Sequence, residues 1–525
     1  MIVATESNLT NELKPLFSEK LDLGKGISSK GIKVVSDKEI VTIVKPDSLE
    51  PELHYYPRVL NSIIHPVVLS FFNLGNEMIA RRYCHLNSHV DEKVLYQILC
   101  YSPEHFKWAG SDLFNVATKS GKKQMVVVET NSCPSGQKSM PSIDENHAYM
   151  GYKKLLANSL GSAALSQPHG STGKLAVIYD KNIMEASGYA VALADMTNEN
   201  VFLVPYYNES PNSHIKWIAS DEDNSIGETL HIRDELNNWH EIRACFRYVT
   251  QKPWNRIPIK TKTKILNPVV SCLAGGRNKM MASFAYEMYN IELRESGLSI
   301  RFPETIKNVT KSEIPQILKS MDYLAVLKDP YSNAGQGVYT ILDKSQLSDF
   351  MNSHHHYEKF IVQSLVGNSE WSSHAKDESY YHVCTVPNAK GEVYVNDIRM
   401  MVSGSESGFS PLCIYSRRAR KPLVSVLNEY SAKNSWDMLG TNLSVKQDDG
   451  SWTTETGRLS LMDHKDFNKL GLGIDDLIDC YIQTVLSTIA IDKMCKRLIN
   501  SDKSFNFELF SNLNTDKSLI DEIRK

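Results

Sequence analysis

At 525 residues the chain has room for roughly two to four domains. Its formal net charge of −3, with 23% charged and 42% apolar residues, is that of an ordinary globular protein and makes no case for nucleic acid or an anionic membrane as a partner. No apolar run approaches the roughly 18 residues of a spanning helix, no basic-then-apolar leader opens the chain, and the nine cysteines form no Cys-x-x-Cys pair; neither zinc, a disulfide framework nor a membrane is expected, and a reducing, cytoplasmic setting is.

Residues 1–55 are polar, with one hairpin expected over Ile32 to Val44. From Tyr56 to Cys100 apolar residues such as Val59, Ile63, Val67 and Phe71 recur at helical spacing, and Pro66 is expected to break or kink that helix. Leu113 to Ala117 and Met125 to Glu129 read as two strands joined by a Ser-Gly-Lys-Lys turn. A Gly- and Ser-rich linker, 161–173, precedes Leu175 to Tyr179, a helix from Glu185 to Ala194, and Val201 to Val204. Strand, helix and strand at that spacing predict a βαβ unit, and with Ala244 to Val249 they make 172–275 a small Rossmann-like domain. The strands of 320–420 read as an antiparallel sheet, 474–499 as an amphipathic helix, "FNFELF" (505–510) as a strand carrying Glu508, and the tail after Ser501 as frayed.

Several stretches carry chemistry. Lys328 ends the apolar strand Leu324 to Leu327, and Ser332, Asn333, Ala334, Gly335, Gln336 and Gly337 lead into a return strand from Val338. Such a glycine-bearing turn lets backbone N–H groups approach a phosphate chain, although strand–turn–strand is also the pattern of a plain hairpin. About fifty residues earlier, Asn278 and Lys279 open a helix. Downstream, the strand ending in Gln363, Ser364, Leu365 and Val366 could offer backbone groups to a purine edge, with Glu370 placed for ribose hydroxyls. Asp397 and Arg399 share one face of a strand, where charge is costly unless paired or liganded. Arg417, Arg418 and Arg420 concentrate guanidinium groups suited to phosphate or carboxylate. Glu129 and Asn131 also share a strand face and are hard oxygen donors suited to Mg²⁺. Cys133 reads as a small buried thiol, and the adjacent His354, His355 and His356 cannot all face one metal.

Taken together, Asn278-Lys279, Lys328 to Val338, Val362-Gln363, Asp397-Ile398-Arg399, Arg417 to Arg420 and Asn442-Leu443 resemble the ATP-grasp superfamily over roughly 265–445, in that family's order. In the family a Glu-x-Asn strand comes last, after a Gly-x-Asp strand and a turn. Here the matching hairpin lies in the first third of the chain. A single cyclic rotation accounts for this, as in eukaryotic-type glutathione synthetase; the other reading makes 505–510 half of an unrotated closing hairpin. The resemblance implies an α/β (α+β) ATP-grasp fold with a preceding Rossmann-like domain and a circular permutation. Its units would be an extension at 1–108, the permuted hairpin at 109–160, the Rossmann-like domain at 172–275, the ATP-grasp domain at 276–500 (a lysine and glycine-loop part to about 360, a catalytic part beyond) and a tail at 501–525. It implies an ATP-dependent ligase joining a carboxylate to an amine through an acylphosphate, with a kinase or a non-catalytic ATP-binding protein as alternatives. Lys279, Lys328 and residues 332–338 would hold the phosphates, and Gln363 to Val366 with Glu370 the nucleoside. Glu129, Asn131 and Asp397 or Glu508 would hold Mg²⁺ or Mn²⁺. Arg399 and one of Arg417, Arg418 or Arg420 would act on the transferring group. Small-molecule substrates are expected as partners, and a homodimer is left open.

Overall fold

The computed structural model describes residues 41–143, 150–161, 165, 173–207, 213–219, 226–250, 252, 254–332, 335–373, 378–446 and 452–524. Most of the hairpin expected over Ile32 to Val44, most of the linker 161–173, and Asn333 and Ala334 lie outside the described residues. The described chain is α/β, as expected.

β1 (Thr42–Val44) is followed by short helices at Pro51–His54, Pro57–Leu60, Pro66–Phe72, Gly75–Leu86 and Glu92–Leu99, so the stretch read as one helix is several. Pro57 and Pro66 each occupy the first turn of a helix, where a missing N–H costs nothing. Pro66 therefore starts a helix instead of kinking one. β2 (Trp108–Thr118) and β3 (Lys123–Ser132) form the expected hairpin.

β4 (Lys174–Tyr179), helix α1 (Ile183–Thr197) and β5 (Val201–Pro205) make the expected βαβ unit, with β4 and β5 parallel. β6 (Ile215–Ala219), β7 (Glu228–Arg233), β8 (Trp239–Tyr248) and β9 (Lys264–Leu266) complete one sheet in the order β1-β5-β4-β8-β7-β6, with β9 on β8. β4 and β5 are continuous apolar runs, which suits strands covered on both faces.

Helix α2 (Lys279–Leu293) leads into a four-stranded antiparallel sheet of β10 (Thr305–Thr310), β11 (Ala325–Lys328), β12 (Val338–Ile341) and β13 (Lys359–Ser364), in the order β10-β13-β11-β12. β14 (Tyr380–His382), β15 (Asn396–Ser405) and β16 (Gly408–Arg418) belong elsewhere. They join the β2–β3 hairpin and, beyond β17 (Ser444–Lys446) and β18 (Trp452–Thr454), the short β19 (Leu459–Ser460). The strands of 320–420 are therefore divided between two sheets, because β2 inserts beside β15 and draws the later strands away.

Helix α3 (Ile474–Arg497) packs behind this second sheet, against β3 and β15, and against α2. It is buried on nearly every side instead of presenting one polar face to water. Its polar residues find internal partners: Ser487 meets Ser111 and Thr130, Gln483 bonds Arg301 N and Ser299 O, and Asp492 accepts from Tyr101 Oη and from His105 and Phe106 N. The tail is helical at Phe507–Leu513 and Lys517–Arg524, with Phe510 and Leu519 buried. It docks because Asp516 accepts from the N–H groups of Glu358 and Lys359, and Asn514 accepts from the Asn278 amide. No helix among the described residues is long and apolar enough to cross a membrane. Leu486, fully buried on α3, gives a direct check: Leu486→Ala is expected to destabilise the fold by about 2–5 kcal/mol, read as a lowered thermal midpoint.

Candidate active site

Pairing of β2 with β3 and β15, and of β15 with β16, sets Glu129, Asp112, Arg399 and Tyr415 in one cross-strand row. The guanidinium of Arg399 grips Asp112 through two bonds, Nε to Oδ1 at 2.6 Å and Nη2 to Oδ2 at 2.7 Å. Arg417 Nη2 reaches the same carboxylate at 2.9 Å and also holds Asp397, whose Oδ2 accepts from Thr441 Oγ1 at 2.8 Å. Burial alone would raise the Asp112 carboxyl, but Arg399 and Arg417 hold it well below the usual carboxylate range. Tyr415 Oη donates to Ser135 O at 2.8 Å, joining the network to the loop after β3.

Lys328 ends β11, buried, with Nζ donating to Gln363 Oε1 at 2.6 Å on the adjacent strand. Burial pushes its ammonium down to about 8, with Glu129 opposing that shift and Lys279 adding to it. Lys279 follows the cap residue Asn278, whose Oδ1 accepts from Met281 N, so the helix start fixes its position. Its Nζ lies 2.6 Å from Ser332 O and 3.2 Å from Glu129 Oε1. Burial works to raise the Glu129 carboxyl, and Lys279 with Arg277 brings it below its ordinary value. The turn after Lys328 is closed by Asp329 N donating to Gly337 O at 2.7 Å. Gly335 and Gly337 have φ of +75° and +63°, and a Cβ on Gly337 would stand 2.7 Å from Asp329 Cβ, so the turn requires glycine there.

These groups face one cavity of about 590 Å³ between the two antiparallel sheets and the β4–α1 turn. It is lined by Glu129, Asn131, Lys279, Lys328, Ser332, Gly335, Val338, Gln363 to Val366, Asp397, Arg399 and Arg417, drawn from separate stretches of the chain. The strand carrying Glu129 and that carrying Asp397 lie in one sheet, with β2 between them.

Other expected site residues fall elsewhere. Glu508 is exposed on the first turn of a helix and not on a strand: Asn506 accepts from Leu509 N and caps that helix. Glu370 is exposed in the turn after β13 and does not line the cavity. Arg418 lies over the Tyr394 ring, and Arg420 is drawn outward to Asp437 and Glu455, so of the arginine cluster Arg417 alone lines the cavity. Gln336 is exposed. Asp397 lines the cavity with both oxygens engaged by Arg417 and Thr441, an arrangement for an ion network more than for a metal ligand. At the strand end, the N–H groups of Ser364 and Leu365 are taken by Glu304 O and Ser373 Oγ, which leaves neither for a purine. Cys133 is buried, its thiol raised by burial and donating to Arg247 O. The three histidines separate, with His355 packed on Phe350 and Phe360 while His354 and His356 are exposed.

The structure adds Asp112, Lys138, Lys181, Arg277 and Thr441 to the lining. Asp112 had a signal, an acid within the apolar strand Trp108 to Val116, the same signal that marked Asp397. The two lysines had none, since a single lysine in a polar turn is commonplace.

No protein-family profile matches the chain, and no curated protein matches it in sequence. Among solved structures it is similar to a glutathione synthetase-like effector from Globodera pallida in its apo form, at 11% identity over 68% of this chain and 86% of that one, with a TM-score of 0.36. It is also similar to a RimK-domain ATP-grasp protein from Sphaerobacter thermophilus (12% identity, 51% and 97% of the chains, TM-score 0.26) and to N5-carboxyaminoimidazole synthetase from Staphylococcus aureus (9% identity, 36% and 56%, TM-score 0.18). At these values the likeness assigns neither a family nor an activity.

Asp112→Ala would leave Arg399 and part of Arg417 buried without their carboxylate. It is expected to cost about 3–5 kcal/mol, measured by denaturant unfolding, while Glu508→Ala at its exposed position leaves the unfolding midpoint where it was.

Proposed function

We propose that this chain is an ATP-dependent ligase of the ATP-grasp type, joining a carboxylate to an amine through an acylphosphate. The observation that supports this most is the joint delivery of two lysines, a glycine turn, an oxygen-donor pair and two oriented arginines to a single cavity. Lys279 and Lys328 would bind the phosphates, with the turn 332–337 laid over them; ammonium groups and backbone N–H groups serve that purpose without supplying a nucleophile. Arg399 and Arg417 would stabilise the transferring phosphoryl group and the tetrahedral oxyanion that follows. Their grip on Asp112 and Asp397 holds the guanidinium planes fixed, so the cations are in place before charge develops. Closure of the turn would keep water from the acylphosphate.

The donor set suits a divalent cation on one side. Glu129 and Asn131 are oxygen donors two residues apart at the end of β3 and both line the cavity; with no ion bound, Lys279 Nζ lies 3.2 Å from Glu129 Oε1 and Arg277 Nη1 lies 3.4 Å from Asn131 Oδ1. No group of three or more His, Cys, Asp or Glu residues that could hold a metal exists among the described residues. Two protein oxygens are what Mg²⁺ takes when phosphates and water fill its remaining positions, and Mn²⁺ could replace it. When bound, the cation supplies charge neutralisation across phosphate oxygens. The reading includes a rotated chain order, with the hairpin of Glu129 and Asn131 preceding the lysines; pairing of β2 with β15 supports it.

Incubation with ATP, Mg²⁺ and panels of acids and amines tests the reading. ADP and phosphate are expected only when an amine accompanies the acid; phosphate retained on the acceptor indicates a phosphotransferase, and no turnover indicates a binding protein. Lys328→Ala is expected to abolish turnover in a folded protein, and undiminished turnover would remove Lys328 from the site. The lysine also predicts a pH dependence. Its ammonium deprotonates near 8 in the folded protein instead of near the usual 10.5, so the phosphate-binding charge is present below that pH and lost as pH rises through it. Affinity for a non-hydrolysable ATP analogue, followed by calorimetry from pH 6.5 to 9.5, is expected to fall with a midpoint near 8. Lys328→Arg, charged throughout, should flatten that profile.

A further inference from the structure

Lys279 owes its place at the cavity to the cap residue Asn278, and Asn278 is itself held from outside the cavity. Its Oδ1 accepts from Met281 N at 3.2 Å, and its Nδ2 donates at 2.9 Å to Oδ1 of Asn514, 236 positions later in the chain. Asn514 Nδ2 in turn donates to Phe510 O at 3.2 Å. Both asparagines are fully buried. This row of bonds begins on a backbone carbonyl and ends on a backbone N–H. Neither amide can flip without setting donor against donor or acceptor against acceptor, so the orientation of both is fixed. A flipped Asn278 would turn its NH2 group on Met281 N and leave α2 uncapped at the residue before Lys279.

The tail that brings Asn514 is anchored on the four-stranded sheet. Leu513 O accepts from Asn308 Nδ2 of β10 at 3.2 Å. The fully buried Asp516 accepts through Oδ2 from Glu358 N at 2.9 Å and Lys359 N at 3.0 Å, where β13 begins, and its Oδ1 caps the helix Lys517–Arg524 through Leu519 N. Glu522 accepts from Tyr357 Oη at 2.9 Å. β13 also carries Gln363, the partner of Lys328. One tail thus reaches the start of the helix behind Lys279 and the strand beside Lys328, while none of its described residues lines the cavity. On its other side Lys279 is tied to the glycine turn: its N–H donates to Pro330 O at 2.9 Å and its Nζ to Ser332 O at 2.6 Å. A lysine whose backbone is already fixed loses less freedom when it meets an anion, and binds it more tightly for that reason.

We propose that Asn514 is a positioning residue for Lys279: through Asn278 it holds the lysine where it meets phosphate, and the tail thereby sets nucleotide affinity without touching the nucleotide. The proposal rests on the ligase reading for the phosphate that Lys279 meets, and on the bonds above for the hold on Lys279 itself.

Two readouts on the full chain test it. One is the affinity for a non-hydrolysable ATP analogue with Mg²⁺, by calorimetry. The other needs no nucleotide: the rate at which an amine-acylating reagent modifies Lys279, read by peptide mass mapping. The Lys279 side chain is only 12% exposed, so loosening it has room to register. Asn514→Leu, close in volume, removes the bond to Asn278. Asn278→Ser keeps a capping oxygen but is too short to reach Asn514, and it carries the test should the buried leucine unfold the tail. In each, affinity is expected to fall about tenfold, the lower end of what a bond to a charged group is worth. Acylation of Lys279 is expected to quicken about threefold or more as the helix start opens. In a Lys279→Met background the Asn514 change is expected to cost less than about twofold, since the group it positions is gone. Lys517→Ala, exposed on the same tail, is expected to move neither readout. An acylation rate unchanged in the folded variants, an affinity that does not fall, or one that falls as far in the Lys279→Met background overturns the proposal. An analogue that binds no form of the protein, while acylation of Lys279 still quickens, overturns the ligase reading alone.

Discussion

Two arginines and two aspartates, buried together on one sheet face, are the constraint around which the rest is arranged. Burying four charges is favourable only where their geometry is close to ideal and their remaining hydrogen bonds are met. Arg399 meets Asp112 with two parallel bonds, Arg417 spans Asp112 and Asp397, and Thr441 takes an oxygen of Asp397. A slip of β2 against β15 by one residue would turn Asp112 to the opposite face, strand Arg399 and leave Arg417 with Asp397 alone. The network therefore sets the register of the hairpin, and the hairpin carries Glu129 to Lys279.

Facing that sheet is a smaller body with its own core. Val309, Leu318, Leu327, Ile341, Phe350 and Phe360 form an apolar cluster separate from the main one, beneath the sheet that carries Lys328 and the glycine turn. The cavity is the gap between two independently packed units. Its turn meets the far side through Trp436 and Asn442, each 3.1 Å from where a Gly335 Cβ would stand. Such an arrangement keeps the charged wall rigid while leaving the covering wall to a short turn and a four-stranded sheet.

The parts legible in the sequence were those with a strong local cause. The β2–β3 hairpin, the β4–α1–β5 unit and the ends of β11 and β13 follow from apolar runs punctuated by glycine and polar turns. Asp397 and Arg399 stood out because charge on an apolar strand demands a partner. That the two do not pair with each other, and that Arg399 instead takes Asp112, depends on which strands are neighbours, and no local pattern records that. Periodicity likewise marked 474–499 as a helix but not as a central one, since the Ser, Thr, Gln and Asp side chains that suggested a polar face are satisfied internally. Residues 505–510 failed as a strand because Asn506 caps a helix there, and alternating Phe residues satisfy either period over so short a run.

The pairing of β2 with β15 joins residues 287 positions apart. During synthesis, Asp112 and Glu129 emerge before every element from β4 to β14, and the cations that neutralise them, Lys279, Arg399 and Arg417, are made later. Until then the hairpin has an open strand edge and two carboxylates with no reason to leave water. Contacts so distant in sequence slow folding and lengthen the life of exposed edges. This chain is thus expected to gain its charged wall late and all at once, when β15 and β16 close onto a hairpin that has been waiting in solvent, so that assembly of the site and completion of the sheet are one event.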